Sequence, residues 1–546
     1  GVIIATVFLF FVHVSTPYPR NDTPMKNEFV ETVQKREYND PPVVKEENQA
    51  IQTPAMVVTA KVEKAKMVPA QPRVEPREGC FYKNVIVHFD LKGAAPKVSY
   101  FLDLLRLAAK AGATGILLEW EDTFPWAGTL EPFRSTEAYS TSDVKTILTE
   151  ARNLNLDVIP LVLCLGDTDG VNYVKEAIRQ VIEVHSEYGI PYFHIGADEA
   201  FEFGVCEKSR NWITARKTNK QELALSHLKN ISVFVKETAG DDTTVLAWHD
   251  MLKTFDEKII KSLDLGNIVQ PVIWDYSENI VTMDDWSFST LAHNFPTVWA
   301  SSAYKGANFP SASLIDVRHY EANNLKWIET KQRQENKFSK GFQGIIITGW
   351  QRYDHLAGLC EILPVGTPSM VLQIQTALNA PKVDQEVNRQ QAAKILECNS
   401  YNVAGLDVVS SRCGFPGFKA YQVYQSEVQR TFANIEHELA QNHHLMGWAN
   451  RYNRRYNVSQ NWYHTEMRNF VTQLVFRYSS AEKHMREALT PLFGDYTVEE
   501  FIYENLGEMG EKLHGYANAI ERLDQLRVWP KREFKVAQSY AKSCYN

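Results

Sequence analysis

The sequence predicts a (β/α)8 TIM barrel followed by a helical C-terminal region. From Tyr82 onward, eight short runs rich in β-branched residues alternate with helical stretches, and each run is almost continuously apolar. Such runs are typical of parallel strands that are buried on both faces. In addition, polar and aromatic residues gather at the C-terminal ends of the runs. Barrel enzymes build their sites on that face.

The predicted strands follow one another at regular spacing along the chain. They are 85–91, 114–120, 157–166, 191–199, 244–250, 267–276, 296–304 and 342–350. Amphipathic stretches at 96–111, 171–187 and 220–238 predict helices, and Ser142 with Asp143 predicts the cap of another. Eight such βα units predict a barrel domain at 80–368.

The region after Pro368 has a helical pattern. Long amphipathic stretches lie at 417–446, 460–489 and 497–525. Residues 369–546 are therefore predicted to form a helical region that packs on the barrel.

The N-terminal residues have a different composition from the rest. Residues 1–16 are uncharged and apolar, too short to span a membrane alone, and resemble the end of a transmembrane segment or signal anchor. Residues 17–79 are rich in Pro, Lys, Glu and Gln, which predicts a disordered or extended stem. This order describes a type II membrane protein of the secretory pathway in the Golgi, with secretion as the alternative. Sequons at Asn21, Asn230 and Asn457 are compatible with glycosylation there.

Charge and cysteine content argue against several classes of protein. The net charge of −8 disfavours a nucleic-acid-binding protein, and the sequence contains no GxxxxGK[ST] phosphate loop. The seven cysteines show neither CxxC nor Cys/His metal spacing, so no metal or cofactor is expected. Their pairing stays open, with Cys398–Cys413 as one option. The oligomeric state is open too, with a homodimer among the options.

The residues at the strand ends indicate a carbohydrate ligand. Carboxylates can bond sugar hydroxyls and move protons, while indole faces stack on the apolar faces of pyranoses. The pair Asp198 and Glu199 directly follows the apolar run YFHIGA. Neighbouring side chains on an extended strand point to opposite faces, so they do not make the facing pair of an ordinary retaining glycosidase. They fit a division of labour in which one carboxyl is the general acid and its neighbour orients a nucleophile that belongs to the substrate.

The motif His194-x-Gly196-x-Asp198-Glu199 resembles the H-x-G-x-D-E signature of glycoside hydrolase family 20, the β-N-acetylhexosaminidases. Further stretches are similar to the hexosaminidase D branch of that family, and they occur in the same order. They are HFDLKGAAPKVSY (88–100), LEWEDTFPW (118–126), WASSAYKGA (299–307), ITGWQRYDH (347–355) and CEILPVGTPSM (360–370). The resemblance covers roughly residues 82–375.

The resemblance implies substrate-assisted retaining hydrolysis of terminal β-linked GlcNAc or GalNAc. The 2-acetamido oxygen would attack C1 and form an oxazolinium intermediate. Asp198 would orient the acetamido group, and Glu199 would protonate the leaving oxygen and then deprotonate water. A raised pKa is therefore expected for Glu199.

The same resemblance implies a set of substrate-binding residues. The sugar and its acetamido methyl would lie against Trp248, Trp274 and Trp350, and Tyr304 would bond the acetamido oxygen. Hydroxyl contacts are expected from Asp90 and Glu361. We expect His194 to support the site from inside the strand rather than to carry a proton.

Two departures from the family pattern leave alternatives open. The stretch LCLGDTDG (163–170) after the third strand is shorter than in the relatives, and His249 stands in Trp248-His249-Asp250 where an acid is expected. The shortened loop favours a second hypothesis, a non-catalytic glycan-binding protein on a decayed hydrolase barrel. A third is a barrel glycosidase with separated carboxylates, which needs an essential acid on another strand, such as Glu119 or Asp275.

Overall fold

The computed structural model describes residues 79–163, 170–199, 203–403 and 412–526. Within them eight parallel strands pair in chain order and close into a barrel, with helices around it and a helical region after it. The predicted fold class is confirmed.

The strands and helices alternate through the barrel. The strands are β1 (Asn84–Asp90), β2 (Gly115–Glu119), β3 (Asp157–Leu161), β4 (Tyr192–His194), β5 (Thr244–Trp248), β6 (Val269–Trp274), β7 (Thr297–Lys305) and β8 (Gly341–Gly349). The helices are α1 (Val98–Lys110), α2 (Thr141–Asn153), α3 (Val171–His185), α4 (Glu207–Arg216), α5 (Lys220–Ala239), α6 (Glu257–Ser262), α7 (Asp285–Asn294), α8 (Val317–Gln334) and α9 (Leu363–Leu378).

Side chains alternate between the inside of the barrel and the layer beneath the helices. On β1, Ile86 belongs to the interior cluster, whereas Val85 and Val87 belong to the larger outer core. The interior cluster is apolar and includes two large rings, Trp248 and Trp299. The interior is thus packed, and a site is left to the C-terminal face.

Helix α2 shows how local chemistry sets a boundary. Ser140 is its N-cap: the Ser140 Oγ accepts a hydrogen bond from the Asp143 N–H at 3.2 Å, and an Asp143 oxygen accepts from the Ser140 N–H at 2.9 Å. This capping box satisfies two backbone donors at once, so the cap lies two residues before the predicted Ser142.

The region after the barrel is helical as predicted, but it begins later. Helix α9 packs on β1, β7 and β8, and the predicted boundary at residue 368 falls inside it. The following elements are α10 (Gln385–Ile395), α11 (Phe418–Gln422), α12 (Gln429–Gln441), α13 (His443–Trp448), α14 (Arg451–Tyr456), β9 (Val458–Gln460), α15 (Asn461–Leu489), α16 (Asp495–Glu521) and β10 (Asp524–Leu526). A π-helical segment joins α11 to α12.

Specific contacts attach this helical region to the barrel. The Lys97 N–H donates to the Leu492 carbonyl at 2.7 Å, and the Arg352 guanidinium forms two hydrogen bonds of 2.8 and 2.9 Å with the Glu500 carboxylate. Arg352 lies in the loop after β8, so this bidentate ion pair connects the barrel mouth to α16.

Several predictions concern residues outside the described ranges. The anchor at 1–16, the stem up to residue 78, the Asn21 sequon and residues 164–169 of the shortened loop all lie there. Among the described residues, no helix is long and apolar enough to cross a membrane. The structure contains the Cys398–Cys413 disulfide, one of the pairings left open by the sequence.

Candidate active site

The acidic pair lies on a loop beyond β4 and not on the strand itself. β4 ends at His194, and the backbone then takes positive φ angles at Gly196 (66°), Ala197 (70°) and Glu199 (43°). At Gly196 a Cβ atom would lie 2.4 Å from the Leu163 side chain, so any other residue would require Leu163 to move and would be strained at this positive φ. Left-handed backbone at non-glycine residues is costly and is often found at functional sites. The expectation that the strand extends to residue 199 was wrong.

Asp198 is the more enclosed of the two acids. Its Oδ1 atom is buried and has no hydrogen-bond partner among the described residues. Burial, together with the nearby Asp250 and Glu119 carboxylates, raises the pKa of Asp198 well above its usual range. A buried acceptor without a donor is costly, so this oxygen is suited to receive a donor from a ligand.

Glu199 is partly exposed and has the proton affinity of a general acid. Burial and the neighbouring Asp250 raise its pKa to about 7. Its backbone N–H donates to Asp250 Oδ2 at 2.7 Å. A carboxyl with this pKa holds a proton at near-neutral pH and can release it to a leaving group.

His194 supports the loop from the strand end. Its Nδ1 accepts a hydrogen bond from the Gly196 N–H at 3.0 Å, and its ring lies 4.4 Å from the Trp248 ring. Burial lowers the pKa of His194 to about 3, so the imidazole is neutral in the working range. This placement agrees with the expected supporting position inside the barrel.

Four aromatic residues surround the mouth near the acids. Trp248 and Trp350 have ring centroids 5.9 Å apart, and Trp274 stacks on Tyr276 at 5.4 Å. The Trp350 Nε1–H donates to the Tyr276 hydroxyl at 3.2 Å, which joins the two pairs. The three predicted indoles are therefore brought together, and they form one wall with a tyrosine that sequence reasoning did not select.

Tyr304 does not lie on this wall. Its side chain belongs to the outer core. The ring packs so closely on the β8 backbone that a Cβ atom at Gly349 would lie 2.2 Å from it. The Tyr304 hydroxyl donates a hydrogen bond to the His88 carbonyl at 3.3 Å. This placement does not favour the expected acetamido contact of Tyr304, which stays a prediction. The tyrosine near the acids is Tyr276, whose pKa is raised by burial and by Asp198. Its position two residues after Trp274, at the end of β6, was the available sequence signal.

Asp90 and Glu361 are held by protein groups and not aimed at a ligand. Asp90, which is 1% exposed, accepts hydrogen bonds from the backbone N–H groups of Lys92 (3.0 Å) and Gln351 (2.8 Å). Glu361 is fully buried and accepts from the Gly306 N–H at 2.8 Å and the Tyr320 hydroxyl at 3.0 Å. These placements do not favour the expected sugar-hydroxyl contacts of the two acids, which stay predictions; in the structure both carboxylates connect separate segments of the barrel mouth.

A buried charged network lies at the ends of β1 and β2, beside the aromatic wall. The Glu119 carboxylate pairs with Lys92 Nζ and with His88 Nε2, each at 3.1 Å. Burial by itself would raise the pKa of Glu119, but the Lys92 charge and the His88 hydrogen bond lower it to about 2. The His88 ring contacts Trp350 edge to face at 4.8 Å, so the network supports the wall.

The two acids of the separated-carboxylate hypothesis are both occupied elsewhere. Glu119 is ionised within the network just described and cannot serve as a proton donor at neutral pH. Asp275 accepts four hydrogen bonds, from the backbone N–H and the hydroxyl of Ser277 and of Thr282, and organises the loop after β6. Among the described residues, no group of His, Cys, Asp and Glu side chains could hold a metal ion.

Comparison with known proteins agrees with this arrangement. Residues 135–345 match the catalytic domain of glycosyl hydrolase family 20. Hexosaminidase D of Homo sapiens is 31% identical over 451 residues, which cover 77% of this chain and 91% of that protein. The chain belongs to glycosyl hydrolase family 20. Hexosaminidase D of Bos taurus is 35% identical over 326 residues, covering 54% of this family 20 chain and 92% of the bovine protein.

Solved structures with a similar fold are more distant. A β-N-acetylhexosaminidase from Bacteroides fragilis NCTC 9343 has 15% sequence identity and a TM-score of 0.41, covering 58% of this chain and 70% of that one. Membership of the family therefore depends on the sequence relatives, and it makes the chain a glycoside hydrolase of the hexosaminidase D-like branch.

Proposed function

We propose that this family 20 chain is an exo-β-N-acetylhexosaminidase that removes terminal β-linked GlcNAc or GalNAc by substrate-assisted retaining hydrolysis. The acetamido oxygen forms a bond to C1 while the C1–O bond to the leaving group breaks and Glu199 gives its proton to the departing oxygen. Glu199 then takes a proton from the water that opens the oxazolinium ion. The β configuration is thereby retained.

The observation that carries the proposal is the buried Oδ1 atom of Asp198, which has no hydrogen-bond partner among the residues that the structure describes. The 2-acetamido N–H is a donor of the kind that this buried acceptor requires, and the bond turns the acetamido oxygen toward C1. As positive charge develops on the oxazolinium ring, the carboxylate form of Asp198 is stabilised and in turn stabilises the ring. The adjacency of the two acids fits this mechanism because the first nucleophile comes from the substrate, so no second carboxylate has to face Glu199 across the glycosidic bond.

The aromatic wall supports recognition of the N-acetyl group. Trp274 and Trp350, both partly exposed, offer flat apolar surfaces for the sugar ring and the acetamido methyl, and Trp248, which is 1% exposed, packs behind them. We assign to Tyr276, in place of Tyr304, the hydrogen bond to the acetamido oxygen, since its hydroxyl already lies beside the Trp350 indole nitrogen and close to Asp198.

The proposal is tested with two aryl β-glycosides that differ only at C2. The wild-type chain is expected to cleave the 2-acetamido-2-deoxyglucoside and not the glucoside with a 2-hydroxyl. Glu199→Gln and Asp198→Asn should each reduce kcat by about 10²- to 10⁴-fold. Equal activity of all three proteins would refute the mechanism. Saturable sugar binding by the wild type without any turnover would favour the glycan-binding alternative.

We also propose that the chain works in the secretory pathway as a type II membrane protein of the Golgi. The support is the apolar segment 1–16 followed by the polar stem, together with the sequons. Protease protection of the full chain in sealed microsomes, with and without detergent, checks this placement. Digestion of the barrel in intact vesicles would refute it.

A further inference from the structure

The end of β5 carries two polar residues, the buried His249 and the partly buried Asp250, which contact the loop of Glu199 and the aromatic wall. His249 and Asp250 directly follow Trp248, and the expected family pattern differs from this sequence at His249. His249 is 1% exposed. Such polar groups are expensive to bury unless they make specific contacts.

Each oxygen of the Asp250 carboxylate accepts from a different part of the site. Oδ2 accepts the Glu199 backbone N–H at 2.7 Å, and Oδ1 accepts the Trp274 Nε1–H at 2.9 Å. One side chain therefore connects the loop that carries the proton donor to the wall that receives the sugar. Both distances lie in the range of ordinary N–H···O hydrogen bonds. Burial raises the pKa of Asp250, and these two bonds oppose that shift because they favour the carboxylate.

His249 holds the same tryptophan through its backbone. The Trp274 N–H donates to His249 Nδ1 at 3.3 Å, so the ring proton lies on Nε2, which faces the Met283 sulfur at 3.2 Å. Burial, with a smaller contribution from Lys253, lowers the pKa of His249 to about 3. The neutral ring keeps Nδ1 as an acceptor throughout the working pH range.

We propose that Asp250 is a positioning residue for the acid–base step, which fixes the left-handed backbone of Glu199 and the indole of Trp274 relative to each other. The inference rests on the proposed function. Without Asp250, a backbone angle of 43° at Glu199 would have one fewer bond to maintain it. The loop would relax toward conformations in which the acid no longer reaches the leaving oxygen.

Asp250 also acts on Glu199 through its charge. The carboxylate disfavours ionisation of Glu199 and so contributes to the raised pKa. Three other charged groups lie near Glu199 and Asp250. Lys253, after β5, acts on Asp250, while Asp198 lies on the same loop as Glu199 and is itself affected by Glu119 of β2. Removing the Asp250 charge leaves these groups in place and lowers the pKa of Glu199.

Asp250→Asn is the informative variant because it keeps the shape of the side chain. An amide has one acceptor oxygen and one NH2 group. It can therefore accept only one of the two hydrogen bonds, from the Glu199 N–H or from the Trp274 indole, and its NH2 group would face the other donor. We expect the basic limb of the kcat/KM profile to move to lower pH and kcat to fall at least tenfold. The loss should be greater for a substrate whose leaving group needs protonation than for an activated dinitrophenyl glycoside, which needs little acid assistance.

Asp275→Asn is the matched control. Asp275 is a buried aspartate with four hydrogen bonds at the end of the neighbouring β6, and none of them goes to Glu199 or to the Trp274 indole. The variant Asp275→Asn should lower the free energy of unfolding, but it should neither move the basic limb of the kcat/KM profile nor change how kcat depends on the leaving group. An unshifted limb with Asp250→Asn, or an equal shift with Asp275→Asn, overturns the inference.

A spectroscopic measurement separates this inference from the proposed function. In the full chain labelled with ¹⁵N-tryptophan, the Trp274 indole resonance is assigned by its loss in Trp274→Phe. Asp250→Asn should move that resonance upfield in the proton dimension, whereas Asp275→Asn should leave it in place. If the wild type has no turnover, the proposed function fails, and the indole resonance still decides whether Asp250 holds Trp274.

Discussion

The raised pKa of Glu199 predicts the position and sign of the pH dependence of catalysis. The variable is the pH of the assay, which changes the fraction of Glu199 that carries a proton. With a pKa raised from 4.5 to about 7, roughly half of Glu199 is protonated at pH 7, against roughly 0.3% for an ordinary glutamate. Burial and Asp250 thus increase the competent fraction at pH 7 by roughly 150-fold.

The assay is kcat/KM for an aryl 2-acetamido-β-glucoside between pH 5 and 9. Above pH 7 the value should fall about tenfold per pH unit, because only the protonated acid can donate. Glu199→Gln should lose this limb together with most of the activity. A wild-type profile that is flat between pH 6 and 8, or whose basic limb survives in Glu199→Gln, would refute the assignment of Glu199 as the acid.

The same shift predicts that the stability contributed by Glu199 also falls as the pH rises. Since the folded-state pKa of Glu199 is higher than its unfolded value, its favourable contribution is complete below about pH 4.5 and disappears as the pH rises through about 7. Glu199→Gln removes the ionisable group. Its Tm relative to wild type should therefore increase between pH 5 and 8. A constant difference in Tm across that range would contradict the shifted pKa.

Three further predictions concern residues around the site. Tyr276→Phe should lower kcat/KM about 10- to 100-fold, because it removes a hydroxyl that the reacting acetamido group uses. Tyr304→Phe should change kcat/KM by no more than about twofold, because that hydroxyl donates to the His88 carbonyl. A larger loss for Tyr304→Phe than for Tyr276→Phe would restore the sequence-based assignment. Glu119→Gln removes one of the two buried carboxylate partners of Lys92, which keeps Asp90 at 3.3 Å, and should cost about 1–3 kcal/mol in urea unfolding. Glu397→Gln, at the exposed pair with Lys110, should change stability little. Glu500→Gln weakens the bidentate bond to Arg352, so it should lower the free energy of unfolding by about 1–3 kcal/mol and speed limited proteolysis of α16. An unchanged cleavage rate would argue against that bond as the link between the barrel mouth and the helix.

The barrel could be predicted because its signal is local. Each strand is buried on both faces, so its residues must be apolar wherever the neighbouring strands lie, and the period of the pattern survives without tertiary information. The positions of Asp198 and Glu199 at the mouth followed for the same reason, since the C-terminal ends of parallel strands share one face of the barrel.

The structure bears most on the assignments that depend on where a side chain points. Tyr304 lies at the end of β7, Tyr276 and Glu199 lie just beyond strand ends, and Glu361 lies in the loop before α9. Their sequence environments look equally suitable. Which of them reaches the pocket depends on register and on close backbone contacts. Gly349, for example, leaves room for the Tyr304 ring over β8. Such contacts join residues far apart in the chain, so no local pattern records them.

For this family 20 chain, the sequence by itself determined the eightfold alternation of strands and helices, the acidic pair and the indoles of the wall. Apolar periodicity is sufficient for the alternation and for the positions at the strand ends, while the expected roles of the acids and the indoles came from the resemblance to family 20. Only the tertiary structure decided that the pair lies on left-handed backbone beyond β4, that Tyr276 faces the acids and that Asp250 connects Glu199 to Trp274. The physical reason is that burial, pKa and hydrogen-bond partners are set by groups from neighbouring strands, which meet only when the barrel closes.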